Sequence, residues 1–363
     1  MENYRAAVVG LGRIAWTLED DPKRDHPCTH AGALAQLPGV ELVAGAARSE
    51  KSAKAFQERF HTKKAYTDYL EMVREEKIDI VGVATNPETH AQIVVDLANA
   101  GVKGILCEKP LALSLEDADR MLKACADNGV VLMTMHNRRF NSLYRSAKQI
   151  IESGEIGQIN AVIGICEGCK PNKNWQSEFE GPLLHDATHL FDIMRYLFGD
   201  IQWVMSDVER AKPEDLVEDS AYSLMRFQNG VYGTTLVNER TDYMRFELEI
   251  QGSRGKMLLY TNEAYLWKYE DSKYASNFKE LAPAPYPNTE GVKLNPYLEA
   301  YGELVRCMRT GAQSETSSGA DGRAALETIM AIYESKRKGC ARVFMPLPGE
   351  PSSLARAIKE NAF

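Results

Sequence analysis

Two hydrophobic periodicities divide the chain. Over the first 137 or so residues, short apolar runs alternate with stretches of helical spacing. Tyr4–Val9 (YRAAVV), Val40–Ala46 (VELVAGA), 78–84 (IDIVGVA), Gly104–Cys107 (GILC) and 130–135 (VVLMTM) are mostly apolar. Runs of this kind suit strands covered on both faces. Helical patterns lie between them at 31–37, 51–60, 88–100 and 115–128, the last with Ser114 as its cap. Such alternation predicts βαβ units and a doubly wound parallel sheet.

After about residue 138 the pattern changes. A helix over 142–153 precedes longer runs that alternate with period two: 160–166, 203–210, Ser220–Phe227, 231–238, 246–251, 256–260 and 265–269. Gln228-Asn229-Gly230 and the Gly252 to Gly255 stretch (GSRG) read as hairpin turns. This predicts an α+β domain with a large, open, mostly antiparallel sheet. Late helices near 297–309 and 320–338 are expected to pack on it, and the Pro-rich stretch 281–296 to be an irregular loop. The division therefore falls between residues 1–137 and 138–363.

The chemistry starts where the first strand ends. Gly10-Leu11-Gly12-Arg13-Ile14-Ala15 is a G-x-G-x-x-A turn. Its first glycine allows the tight turn, its second lets backbone N–H groups approach a pyrophosphate, and its small last residue allows close helix packing. A helix N-terminus behind it would favour the phosphates. Two features differ from the simplest form. The segment 16–29 (WTLEDDPKRDHPCT) is inserted before the helix body, and by position it could act as a lid. The second strand ends in Ala46-Ala47-Arg48-Ser49, with no carboxylate to bind a ribose 2′-hydroxyl. Arg48 and Ser49 instead suit a 2′-phosphate, which favours NADP over NAD.

Further loops carry Thr85-Asn86-Pro87-Glu88-Thr89-His90, the Gly101 to Leu111 stretch (GVKGILCEKPL), Asn137-Arg138-Arg139-Phe140, Gly154-Glu155-Ile156-Gly157, the Gly181 to Asp192 stretch (GPLLHDATHLFD), Ser318 to Leu326, and Ala331-Ile332-Tyr333-Glu334-Ser335. Together they resemble the glucose-fructose oxidoreductase / inositol dehydrogenase / rhizopine catabolism (Gfo/Idh/MocA) family over residues 4 to 348. That resemblance implies a dinucleotide-binding Rossmann domain at 1–137 followed by an open-sheet, substrate-binding and oligomerisation domain at 138–363. It implies hydride transfer between a nicotinamide cofactor and a secondary alcohol of a sugar, glycoside or cyclitol. By the same resemblance Thr85, Asn86, His90, Glu108 and Lys109 line the cofactor site, the Lys109–Pro110 peptide is cis, and the chain forms a homodimer or homotetramer through its C-terminal sheet. Gly10, Arg48, Asn86, Lys109 and Asn137 each follow a strand's carboxyl end, the edge where doubly wound sheets bind ligands.

Oxidising an alcohol requires a base and a group that steadies developing negative charge. Lys109 can hydrogen-bond the reacting oxygen and shuttle a proton. His189 is the second acid/base candidate. His185 and Asp192 can share its helical face. In similar proteins an Asp stands four residues before the histidine; here that position is His185, with Asp186 beside it. The relay could run through the histidine pair or through Asp186, or His185 could bind substrate. Trp175 could stack on a sugar face. Readings on the same fold include reduction of an imine or oxidation of a dihydrodiol, and a non-catalytic dinucleotide sensor.

Composition narrows the setting. The chain has 363 residues, 44% hydrophobic and 26% charged, with net charge -8. An acidic balance argues against nucleic acid or anionic membrane as partner. No apolar run suits a membrane span, and the early first strand leaves no room for a leader. Seven scattered cysteines suggest reduced thiols in a cytoplasmic protein. His26, Cys28 and His30 lie close in sequence, as do Cys166 and Cys169. Nothing in the sequence brings either group together, so no metal is expected.

Overall fold

The computed structural model describes residues 3–168, 179–211, 216–287, 295–347 and 354–360. They form two compact units, Met1–Phe140 with Lys293–Leu326, and Asn141–Val292 with Glu327–Phe363. In the first unit β1 (Tyr4–Val9), β2 (Val40–Ala46), β3 (Ile80–Val83), β4 (Gly104–Cys107) and β5 (Val131–Thr134) form a parallel sheet in the order β2-β1-β3-β4-β5. Every residue of β3, β4 and β5 is buried, as their unbroken apolar runs predict. The connections contain α1 (His30–Gln36), α2 (Glu50–Phe60), α3 (Tyr69–Glu76), α4 (His90–Asn99) and α5 (Leu115–Asp127). Ser114 caps α5, its hydroxyl accepting the Asp117 N–H. The sequence pattern gave no sign of α3. Only Met72 and Val73 are buried there, and its start depends on Asp68, whose carboxylate accepts two backbone N–H groups.

In the second unit α6 (Ser142–Glu152) precedes β6 (Ile159–Glu167). The short α7 (Pro182–His185) and α8 (Ala187–Phe198) follow. Then come β7 (Ile201–Glu209), β8 (Ser220–Phe227), β9 (Tyr232–Asn238), β10 (Arg245–Gly252), β11 (Gly255–Leu259), β12 (Ala264–Asp271) and β13 (Lys279–Ala284). These strands, with β14 (Val343–Phe344), build a nine-stranded sheet. All its neighbours are antiparallel except β6 and β9. Both turn signals join adjacent antiparallel strands. β13 corrects the expectation of an irregular loop from 281: Pro283 pairs opposite Trp267 on an edge strand, where a missing N–H removes no ladder bond.

The helices that follow are α9 (Pro296–Thr310), α10 (Gly319–Arg337) and the short α11 (Leu354–Lys359). α9 does not pack on the antiparallel sheet as expected. Tyr297, Ala300, Tyr301, Leu304, Val305 and Cys307 join the core of the first unit, against β4 and β5. The parallel sheet offers an uncovered apolar face there, and α9 presents a matching stripe. α10 runs from the first unit, up to Leu326, into the second.

Candidate active site

The glycine turn is built by close approach. Gly10 has φ of +87°, and a Cβ there would stand 2.7 Å from the Ala84 carbonyl and Thr85. Only glycine fits between the ends of β1 and β3, where the strand order reverses. Gly12 is exposed, and a side chain at that position would meet nothing within 4 Å. The turn thus offers backbone to open space, as a pyrophosphate cradle must. Arg13 is exposed, Ile14 half-buried and Ala15 buried in the core.

The expected helix directly behind the turn is interrupted. Leu18 N–H bonds the Arg13 carbonyl, and the chain then leaves on the inserted segment. It returns at α1, where His30 and Ala31 N–H groups bond the Ile14 and Ala15 carbonyls at 3.2 and 2.9 Å. Those carbonyls would otherwise serve the next helical turn, so the insertion is an excursion spliced into one helix. Trp16 packs edge-on against Phe56 and Phe60 of α2.

The other candidates lie along the same sheet edge. Arg48 and Ser49 are exposed, and the Ser49 hydroxyl accepts the Ser52 N–H to cap α2. Asn86 is exposed and Thr85 half-buried. His90 is buried, with Nδ1 3.0 Å from the Pro110 carbonyl and Nε2 3.0 Å from the Thr85 carbonyl. It therefore ties the loop after β3 to the loop after β4. Asn137 is half-buried at the start of a short 3-10 turn, Asn137–Phe140. Strand order places Arg48 and Lys109 three strand spacings apart, about 14 Å.

Beneath this edge lies a group the sequence did not reveal. Glu108 is 7% exposed. Its Oε1 accepts from the Tyr297 hydroxyl at 2.6 Å and lies 3.2 Å from His30 Nε2. Its Oε2 accepts the Lys109 N–H at 3.2 Å. His30 Nδ1 stands 2.6 Å from the Tyr301 hydroxyl. One neutral imidazole satisfies all of this, with Tyr301 O–H donating to Nδ1 and Nε2–H donating to Glu108. Burial works to raise the Glu108 carboxyl, but the His30 hydrogen bond, with the Tyr297 hydroxyl and the Lys109 charge, holds it below the ordinary carboxylate range. The same burial and the Glu108 charge push both tyrosines well up. Gly82 makes room: a Cβ there would collide with the Tyr301 hydroxyl and with His30. Lys109 is half-buried, and its peptide to Pro110 is cis, as the resemblance implied.

In the second unit the histidine stretch forms two helices, not one. The break falls at Asp186, which keeps right-handed helical angles (φ -109°, ψ -41°). His185 and His189 are half-buried and Asp192 is fully buried. His185 Nδ1 lies 3.4 Å from the buried Glu180 carboxylate, and its Nε2 lies 3.9 Å from Asp186. The start of α7 is held by Glu218, a residue not singled out from sequence. Its carboxylate accepts the Leu183 N–H at 3.1 Å and the Tyr333 hydroxyl at 3.0 Å. Burial raises this carboxyl to about 7 against those hydrogen bonds. Gly181 lies directly over it, where a Cβ would collide. Trp175 and Cys169 lie outside the described residues.

His30 and Tyr301 are fully buried and Tyr297 is 5% exposed; by sequence the two tyrosines read as ordinary core positions and His30 as part of the insertion. The available signal was that two hydroxyls, at 297 and 301, sit four residues apart on one helical stripe. Among the described residues no helix is long and apolar enough to cross a membrane.

Comparison with known proteins bears on the family and the fold. Residues 4–136 match the family model described as oxidoreductase family, NAD-binding Rossmann fold, and residues 144–258 match the GFO/IDH/MocA C-terminal domain. A myo-inositol 2-dehydrogenase of Thermotoga maritima is 29% identical over 260 residues, 70% of this chain and 74% of that protein. A D-apiose dehydrogenase of Paraburkholderia graminis is 27% identical over 356 residues, 93% of this chain and 89% of its own length. Among solved structures, a levoglucosan dehydrogenase in complex with NADH and levoglucosan superposes with a TM-score of 0.81 at 23% identity, over 95% of this chain and all of that one.

Proposed function

Because the chain belongs to the GFO/IDH/MocA oxidoreductase family, we propose that it is a dehydrogenase that moves a hydride between a nicotinamide dinucleotide and a secondary alcohol or ketone of a sugar, sugar derivative or cyclitol. The observation that carries this reading is the seat of Lys109. It follows β4 at the carboxyl edge of the parallel sheet, level with the glycine turn, and its backbone is tied to the buried Glu108. Its ammonium holds the reacting oxygen, lowering the cost of the charge that develops as the hydroxyl proton leaves. His189 receives or returns that proton, with His185 and Asp186 setting its surroundings. The dinucleotide supplies the hydride acceptor or donor, with its phosphates on the backbone of Gly10, Gly12, Arg13 and Ile14. Arg48 and Ser49 take a 2′-phosphate, so NADP is the favoured form. Thr85, Asn86 and Asn137 line the remaining edge.

The outer face of the antiparallel sheet exposes Ile163, Met205, Tyr222, Tyr232 and Leu236 by 38 to 45% each. A patch of this kind favours self-association, and we assign it to a homodimer or homotetramer contact. Equilibrium ultracentrifugation of the protein and of Leu236→Lys tests this; a wild-type monomer overturns it.

The test of the activity is a panel of inositols, aldoses and anhydrosugars with NAD and NADP, followed by reduced-nicotinamide absorbance. Turnover by the wild type, reduced about 100- to 10,000-fold in Lys109→Ala with dinucleotide binding kept, is the expected result. Undiminished turnover in Lys109→Ala overturns the assignment.

A further inference from the structure

The inserted segment brings Glu19 to His26 and Cys28, which are neighbours in sequence. Glu19 Oε1 lies 3.3 Å from His26 Nδ1. His26 Nδ1 lies 3.7 Å from Cys28 Sγ, and Cys28 Sγ lies 3.8 Å from Glu19 Oε2. His30, the other nearby histidine, points instead to Glu108. The carboxylate is further fixed by the Thr29 hydroxyl at 2.6 Å and the Cys28 N–H at 3.2 Å. The Cys28 thiol lies 3.3 Å from the Leu18 carbonyl.

We propose that Glu19, His26 and Cys28 form a binding site for one divalent cation of the zinc class. Tetrahedral zinc with ordinary ligand distances separates nitrogen from oxygen by about 3.3 Å, and sulfur from nitrogen or oxygen by about 3.6 Å. The Glu19 Oε1–His26 and His26–Cys28 separations match those edges to about 0.1 Å, and the Cys28 separation is to the other carboxylate oxygen, Oε2, so Glu19 would bind through both oxygens or turn slightly to present one. Carboxylate, imidazole and thiolate are all zinc ligands, and together they favour zinc over magnesium or calcium, which prefer oxygen. Two of the three are sheltered: Cys28 is 8% exposed and the Glu19 side chain 13%, while His26 at 39% leaves an open side for water as fourth ligand.

The segment also has a use for a cross-link. No side chain from Thr17 through His26 is buried, so this stretch has no apolar core of its own. A metal bound to Glu19 at its beginning and to His26 and Cys28 at its end would close it as a loop. Binding replaces the Cys28 thiol proton, which leaves to solvent, and involves no redox change.

The test uses the full chain, reduced and stripped of metal by a chelator, titrated with cobalt(II) and then with zinc. The expected result is a thiolate-to-cobalt charge-transfer band in the near ultraviolet, saturating at one equivalent and displaced by zinc. It is lost in Cys28→Ser. His26→Ala changes an exposed side chain and keeps the fold testable if Cys28→Ser does not fold. It should weaken zinc binding by more than the ~10-fold typical of losing a supporting group. Zinc should raise the thermal midpoint of the wild type and leave that of His26→Ala unchanged. Absence of the band, its persistence in Cys28→Ser, or equal zinc affinity in His26→Ala would overturn the site. None of these readouts depends on turnover.

Discussion

The Tyr297 hydroxyl donates to the Glu108 carboxylate at 2.6 Å, a hydrogen bond that spans 189 residues of chain. It joins a helix of the late sequence to the residue before Lys109, and it does so where water is excluded. Tyr297→Phe keeps the ring and leaves a buried carboxylate short of a donor. The expected loss of stability is about 1.5–3 kcal/mol, measured by urea unfolding. If the network also seats Lys109, kcat should fall more than KM changes. A variant with lost stability but unchanged kcat would limit Tyr297 to a structural role.

Gly82→Ala probes the same group from the opposite side. Its methyl would enter the space of the Tyr301 hydroxyl and His30. Overpacking of this kind costs about 1–3 kcal/mol. Pairing it with Tyr301→Phe, which frees part of that space, should recover some of the loss in thermal unfolding. Strict additivity of the two changes would mean that the contact is not the cause.

Dinucleotide choice can be read from Arg48. Arg48→Ala should weaken NADPH binding at least ~10-fold, the loss of one charge-assisted contact, and leave NADH binding nearly unchanged. Fluorescence titration of both cofactors measures this. Equal or tighter NADH binding in the wild type, unaffected by the substitution, would overturn the role given to Arg48.

Glu218 sets a pH dependence of definite sign. Its carboxyl is raised from 4.5 to about 7 in the folded protein. Between those values the unfolded chain has already lost this proton and the folded chain retains it. Stability therefore falls as pH rises through that window, by up to about 3 kcal/mol. Glu218→Gln should flatten this part of the profile in urea melts taken from pH 4.5 to 8. Glu108 acts in the opposite direction. Its carboxyl is held low, so its contribution is complete at neutral pH and is lost as acid protonates it, below the ordinary carboxylate range.

The sequence was most legible where one local rule decided the outcome. Apolar runs with no polar alternation became β3, β4 and β5, and the turn signals at Asn229-Gly230 and Gly252 to Gly255 became hairpins. Gly10 was legible because the end of a strand admitted only one residue type. α3 was not, because its start rests on one Asp68 carboxylate and its buried face on two residues. Neither the place of α9 nor the His30–Glu108–Tyr297 group was legible, because each is decided by partners far away in sequence. An apolar stripe shows that a helix will be covered, and not which sheet will cover it. Likewise His26 and Cys28 were seen as neighbours, while Glu19, their third member, was counted among solvated charges.

The return of residues 293–326 to the first unit has a consequence for synthesis. When residue 140 leaves the ribosome, all five parallel strands have been made, yet the face that α9 covers is still bare. Another 150 or so residues must be translated first, on the order of ten seconds or more at ordinary elongation rates. During that interval Glu108 has no Tyr297 and the sheet has an open apolar side. A fragment ending near residue 140 would stay in that state permanently, so the dinucleotide-binding half is not a separable module despite being first in the sequence. Expressed alone it should bind chaperone or aggregate, whereas a fragment rejoined to residues 293–326 by a short linker has the pieces needed to close its core.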